Sequence, residues 1–206
     1  MLDRRSTQTN ELVISYLLLR KTVGWIGMLL PFVLIVGNVA MSASRPDSMS
    51  GYYYTPMRNV FVGALCALGV FLIAYDGYDN VDRWITNIAG LCAIGVAFCP
   101  TKPSGHLSVA QNVLGDFHVF FAACTFTALG LMALRFARGL HTRPETAVYL
   151  GSGALILACV VLAAASNLLP SSVYASWPVL FILEAIAVVA FGISWIVKGT
   201  TILRPR

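Results

Sequence analysis

Trp177-Pro-Val-Leu-Phe-Ile-Leu-Glu-Ala-Ile-Ala-Val-Val-Ala-Phe-Gly-Ile-Ser-Trp-Ile-Val-Lys198 decides the fold. Positions 177–197 contain one ionisable side chain, Glu184, and the apolar run stops at a lysine. An apolar helix needs ~20 residues to cross a ~30 Å hydrocarbon core, and this stretch meets that length. Five more apolar runs precede it, at roughly 22–41, 59–75, 84–99, 117–134 and 147–169. Those at 59–75 and 84–99 have only 17 and 16 residues, and flanking Tyr, Trp and small polar residues complete them.

Charge orients the six runs. Numbering the gaps alternately, one side collects Arg4, Arg5, Arg20, Lys21, Arg83, Arg135, Arg138, Arg143, Lys198, Arg204 and Arg206. The other side has only Arg45, Arg58 and Lys102. Positive segments beside a span resist translocation, so the richer side is cytoplasmic. The pattern predicts an all-α integral membrane bundle of six transmembrane helices, one domain over 1–206, both termini cytoplasmic. A bacterial cytoplasmic (inner) membrane is the expected location.

Composition agrees. A mean hydropathy of +0.77 with 11% charged residues excludes an ordinary soluble domain, which carries about 25%. Nothing alternates apolar and polar as membrane β-barrel strands do. The net charge of +5 sits on loop edges, where anionic headgroups account for it, so membrane lipids rather than nucleic acid are the expected contacts. Residues 1–21 are polar and charged, and the first run serves as its own insertion signal rather than a cleaved one.

Cys66, Cys92, Cys99, Cys124 and Cys159 lie in or beside spans without a CxxC motif, so they read as small apolar residues rather than a disulfide or metal framework. No cofactor is expected. Pro31 falls within the first span, where neighbouring helices can satisfy the freed carbonyl. Gly63, Gly69, Gly90, Gly95, Gly151 and Gly153 recur inside spans two, three and five, which suits close helix packing.

Glu184 is the sharpest candidate for function. Seven residues after Trp177, it lies about 10 Å below the end of its helix. A carboxyl group at that depth faces the bundle and finds a partner. It reads equally as a proton donor or ligand anchor and as a hydrogen-bonded lock between helices. Asn38, Asn59, His118 and Asn167 fall near the same level, and a cavity opening to the outer face accounts for them. Interfacial snorkelling is the rival for the asparagines. The segment from Ser108 to Leu114 reads helix-like, and Gly115-Asp116 breaks it, with Asp116 as the N-cap of the fourth span. His118 reaches Glu184 if helices four and six adjoin. Arg58, with Tyr53 among Tyr52–Tyr54, forms the mouth of that cavity, or an aromatic interface belt with a headgroup-binding cation. The expected ligand-binding set is therefore Glu184, His118, Arg58, Asp116, Tyr53, Asn38 and Asn59.

Asp76, Asp79 and Asp82 repeat every third residue in an inner loop. They suit a divalent cation, although turn and cap chemistry beside Gly77 and Asn80 suffices. The chain has no GxSxG, HExxH or Gly-rich phosphate loop. His106 and His118 fall on the opposite side from His141, so the three histidines share no metal.

Tyr52-Tyr-Tyr-Thr-Pro-Met-Arg-Asn-Val-Phe-Val-Gly-Ala-Leu65, Asn87-Ile-Ala-Gly90 and the 181–199 segment resemble a bacterial six-helix membrane family, the domain of unknown function 998 type. More distantly the chain is similar to DRAM-like membrane proteins. Those carry a histidine in the fourth span and a glutamate in the sixth, matched here by His118 and Glu184. The resemblance covers nearly the whole chain and implies a fold more than an activity. A further likeness to alkaline-ceramidase-type hydrolases stops at their histidine set, which is missing.

The favoured expectation is non-enzymatic: a lipid- or small-amphiphile-binding protein with a polar pocket open to the outer side. An intramembrane lipid hydrolase or transferase using Glu184 and His118 as acid and base is the first alternative. A proton-coupled transporter and an accessory subunit meeting another membrane protein or a second copy follow.

Overall fold

One helix, α1, runs unbroken from Leu2 to Ala40 with Pro31 inside it. At ~1.5 Å per residue it is about 58 Å long. Its apolar part, Ser15–Ala40, begins earlier than the expected span at residue 22. The computed structural model describes residues 2–103, 105–138, 142–166 and 178–200, with side chains from Ser15 onward. His141, Asn167 and Trp177 lie outside the described residues.

After α1 a polar loop leads into a short 3-10 turn, Ser50–Tyr54, and five more helices follow. They are α2 (Arg58–Ile73), α3 (Asn80–Phe98), α4 (Val109–Phe136), α5 (Arg143–Ser166) and α6 (Val179–Thr200). Each helix packs on the next, and α6 closes the ring against α1, with a smaller contact across to α4. The protein is an all-α bundle of six helices, and five of them are long and apolar enough to cross a membrane. The exception is α2, whose 16 residues span only about 24 Å. Large apolar side chains such as Phe32, Val36, Val119, Phe120 and Val161 face outward, as a multi-pass membrane protein requires when lipid is its solvent.

The start of α4 corrects one expectation. The helix does not begin at Gly115-Asp116 but at Ser108, whose hydroxyl accepts the Gln111 N–H at 3.2 Å while Gln111 Oε1 accepts the Ser108 N–H at 2.9 Å. This reciprocal capping box satisfies two orphan donors and anchors the first turn. Interior glycine costs a helix ~1 kcal/mol, but at Gly115 the missing side chain leaves room for the Lys102 hydrocarbon chain. Lys102 then reaches the exposed Asp116 at 2.7 Å. Asp116 is a mid-helix residue in an exposed ion pair, not a cap.

Glycine sets the helix spacing. A Cβ on Gly69 would lie 2.7 Å from the Gly90 carbonyl oxygen, and one on Gly90 would lie 2.5 Å from that of Gly69, so α2 and α3 touch backbone to backbone. Gly95 and Gly153 are also packed against neighbours, whereas Gly63 and Gly151 face open space. A second backbone seam joins the first and last helices. A Cβ on Gly24 would meet the Gly192 carbonyl at 2.7 Å, and one on Gly192 the Gly24 carbonyl at 2.6 Å.

Candidate functional site

The two ends of the bundle are built on different chemistry. At one end, residues 47–54 fold inward as a strap, burying Met49, Ser50 and Tyr52. Tyr52 packs on Phe181 of α6 with ring centroids 5.9 Å apart, and the Phe181 N–H donates to the Asp47 carbonyl at 3.1 Å. Irregular backbone inside a membrane protein persists only where its amides find partners. Glu184 supplies the partner here: Met49 N–H donates to its Oε2 at 2.5 Å, and Ser50 N–H and hydroxyl face the same carboxylate. The carboxylate thus locks a loop to a helix, rather than one helix to another.

Behind the strap lies a cavity of about 50 Å³. Met49, Ser50 and Glu184 bound one end of it, and Leu72 and Leu129 lie toward the other. Its wall on α2 extends from Phe61 to Leu72, 11 residues or about 16 Å along the axis. The exposed wall is apolar and Glu184 is its one ionisable lining residue. Glu184 is half-buried, and its side chain borders this space while its carboxylate is turned to the strap amides. The expectation of a pocket with polar walls gives way to a narrow apolar slot with a single carboxylate at its roof.

The other candidates are distributed around that end. His118 is buried, and its Nδ1 lies 2.6 Å from the Cys99 carbonyl, where it satisfies the C-terminal turn of α3. Glu184 and His118 are thus engaged by different backbone groups, and His118 does not line the cavity. Arg58 donates to the Tyr53 hydroxyl at 2.5 Å with its guanidinium 4.1 Å above the Tyr53 ring, and Tyr54 donates to the Thr101 carbonyl at 2.7 Å. Burial raises the Tyr54 phenol above its ordinary pKa, Tyr53 adds to that, and Arg58 opposes it. Asn38 is buried and donates to the Ala43 and Ser44 carbonyls at 3.1 and 3.0 Å, closing the chain after α1. Asn59 is exposed.

At the opposite end the aspartate triplet forms a scaffold. Asp79 caps α3 by accepting the Asp82 N–H at 2.9 Å, and Asp82 accepts the Tyr78 N–H at 2.9 Å. Arg135 of α4 occupies both carboxylates: its Nη2 is 2.7 Å from Asp79, and its Nε donates to Asp82. Asp76 pairs with Arg83 at 2.9 Å. A guanidinium fills the position that a divalent cation would take.

Beside this scaffold sits a cluster that the loop charges did not announce. Arg20 and Lys198, read from sequence as flanking charges, are buried, 2% and 1% exposed. Arg20 Cζ lies 4.2 Å from the Tyr16 ring and 5.3 Å from the Tyr75 ring. Lys198 Nζ lies 4.3 Å from the Tyr78 ring and 4.9 Å from Phe136, and it donates to the Tyr78 hydroxyl. Trp195, fully buried, joins Tyr75 and Phe136 at 4.9 and 5.4 Å. Burial raises the Tyr75 phenol well above its ordinary value and raises that of Tyr78 too, with Arg20 opposing in both, so both remain neutral hydroxyls. The only prior sign was the chemistry of the segments themselves: Tyr16, Tyr75, Tyr78 and Tyr149 all flank apolar runs at the same end.

No family model, curated protein or solved structure matches the chain.

Proposed function

We propose that this protein crosses a cytoplasmic membrane six times with both termini inside, and that it holds a lipid tail or small amphiphile beneath the strap. The orientation rests on the sequence pattern of eleven cations on one side of the runs, Arg20, Arg135 and Lys198 among them at the Trp195 end, against Arg45, Arg58 and Lys102 on the other. Short α2 suits a span whose outer end is completed by the folded-in strap. The binding reading is carried by one observation. A narrow apolar slot ends at a carboxylate that already holds a loop through its amides.

At about 50 Å³ the slot is far smaller than the ~300–1,000 Å³ of ordinary ligand sites, so an acyl chain enters by dispersion only as release of the strap widens it. A headgroup with N–H or O–H donors competes with Met49 and Ser50 for Glu184, so ligand entry and strap release are one event. In the closed arrangement Glu184 and His118 do not form an acid–base pair, which is why a binding role is preferred to hydrolysis. Kinship with the domain of unknown function 998 type remains our proposal, resting on the motifs quoted above.

Native mass spectrometry of protein purified in mild detergent tests this. Wild type is expected to retain a stoichiometric lipid or amphiphile, and Ala93→Phe, which fills the slot wall, is expected to lose it. Glu184→Gln should keep the strap partly closed and weaken retention. Glu184→Ala should also cost about 1–3 kcal/mol in unfolding measurements, because it strands buried amides. Equal retention by wild type and Ala93→Phe would end the proposal.

A further inference from the structure

We propose that the opposite end of the bundle binds a phosphate-class oxyanion between Arg20 and Lys198, with Tyr78 as its cover. This site is independent of the slot beneath the strap.

The first ground is charge. Arg20 and Lys198 are each more than nine-tenths buried and adjacent, with Arg20 Nη1 3.5 Å from the Lys198 carbonyl. Among the described residues neither forms an ion pair with a carboxylate, and the nearby Asp79 and Asp82 are paired with Arg135. Two like charges in a low-dielectric interior repel, and each has lost its hydration. The surrounding rings compensate in part through their negative faces, but they do nothing for the repulsion between the cations. Asp82 and Glu145 offset the charge of Lys198 only from beyond ion-pair distance, so among the described residues the pair has no directly bound counter-ion.

The second ground is unmatched hydrogen-bonding capacity. Arg20 Nε, Trp195 Nε1 and the Tyr75 hydroxyl are buried with no hydrogen-bond partner. Buried donors in native proteins are almost always satisfied. These three border one locus, because Tyr75 lies 5.3 Å from Arg20 Cζ and its ring 4.9 Å from that of Trp195. Unmatched donors beside uncompensated cations select a ligand that is acceptor-only and negatively charged, which describes a phosphate oxygen set.

The third ground is access. Tyr78 is 48% exposed, and its hydroxyl occupies the Lys198 ammonium. It rides on a loop turned by Gly77 at φ +49°, a conformation that suits glycine. Displacing one phenol from Lys198 exposes the ammonium to an incoming oxyanion. Arg20 and Lys198 lie near the ends of the apolar stretches Ser15–Ala40 and Val179–Thr200, the depth at which headgroup phosphates sit. The phosphate is therefore carried by an anionic lipid or arrives free from the aqueous side.

Purified protein in neutral detergent is titrated with phosphatidylglycerol against phosphatidylcholine, and separately with inorganic phosphate against chloride at equal ionic strength. Bound species are read by native mass spectrometry and stability by thermal unfolding. Wild type is expected to bind and be stabilised by one anionic probe. A response to phosphatidylglycerol alone assigns the lipid source, and a response to inorganic phosphate assigns a soluble one. Lys198→Met and Arg20→Met are expected to weaken binding at least about tenfold, as loss of a buried charge partner does. Tyr78→Phe keeps the ring and removes the competing hydroxyl, so it should fold normally and bind more tightly. Binding of neither probe by wild type, or equal binding by wild type and Tyr78→Phe together with either methionine variant, would overturn the assignment.

Discussion

Replacing Asp82 with alanine is expected to remove about 3–5 kcal/mol of stability, the loss typical when one partner of a buried ion pair is deleted. Its side chain is 3% exposed, and the Arg135 side chain 11%. Without Asp82, Arg135 keeps only the more exposed Asp79, and the Tyr78 N–H loses its acceptor. A surface pair would contribute no more than ~1 kcal/mol, so the size of the loss separates the two descriptions. Denaturant unfolding in micelles reads it directly. A loss under about 1 kcal/mol would place the pair with solvated surface bridges. The Asp82→Leu/Arg135→Met double variant should recover part of the loss, because an apolar pair carries no desolvation penalty.

Acid probes the same scaffold from its exposed side. The Asp82 N–H, followed by Arg135, holds the Asp79 carboxyl below its ordinary value of 3.8. A depressed folded-state pKa contributes stability that is complete above the ordinary value and is lost as pH falls through the folded one. Wild type should therefore exceed Asp79→Asn in stability near neutrality, and the gap should close below 3.8. A gap that stayed constant into strong acid would mean that Asp79 acts through geometry alone.

Gly192→Val should be the most disruptive change in the seam between α1 and α6. The added Cβ would stand 2.6 Å from the Gly24 carbonyl and 2.7 Å from the Met28 amide nitrogen. Both are backbone atoms, which cannot rotate aside as a side chain can. The helices must separate, and the expected loss is at or above ~3 kcal/mol, the top of the usual overpacking range. Gly151→Val, facing open space, is the matched control and should fold like wild type. Monodispersity and thermal unfolding in mild detergent distinguish the pair. Similar behaviour of both variants would show that the seam is looser than its geometry.

Much of the architecture was legible because a bilayer leaves few options for an apolar run. The six helices and their bundle follow from run length and loop charge. The depth of Glu184 was legible too, since a carboxylate seven residues into a span must find a partner. The identity of that partner was hidden, because the donors are amides of Met49 and Ser50, and backbone groups carry no residue signature. Arg20 and Lys198 misled for the opposite reason. A cation at the end of an apolar run ordinarily reaches water, and only the convergence of rings from four separate segments encloses these two. Tyr16, Tyr75, Phe136 and Tyr149 are far apart in the chain, so nothing local marks their meeting. Asp116 was misplaced because a Gly-Asp pair imitates a helix start, while the capping box whose N-cap lies eight residues before it had already made one.

The contact between Met49 and Glu184 also has a meaning in time. Its partners are separated by 135 residues, and ribosomes add ~5–20 residues per second. The amides of residues 49 and 50 therefore leave the translation machinery roughly seven to twenty-seven seconds before their acceptor exists. The first helix waits longer still for the last, on which its glycine seam depends. Biogenesis of this protein is consequently a delayed closure, in which early segments must be sheltered by insertase or lipid until the final hairpin arrives. Truncation before α6 is expected to leave a nascent chain that quality-control proteases recognise, even though most of its helices are already made.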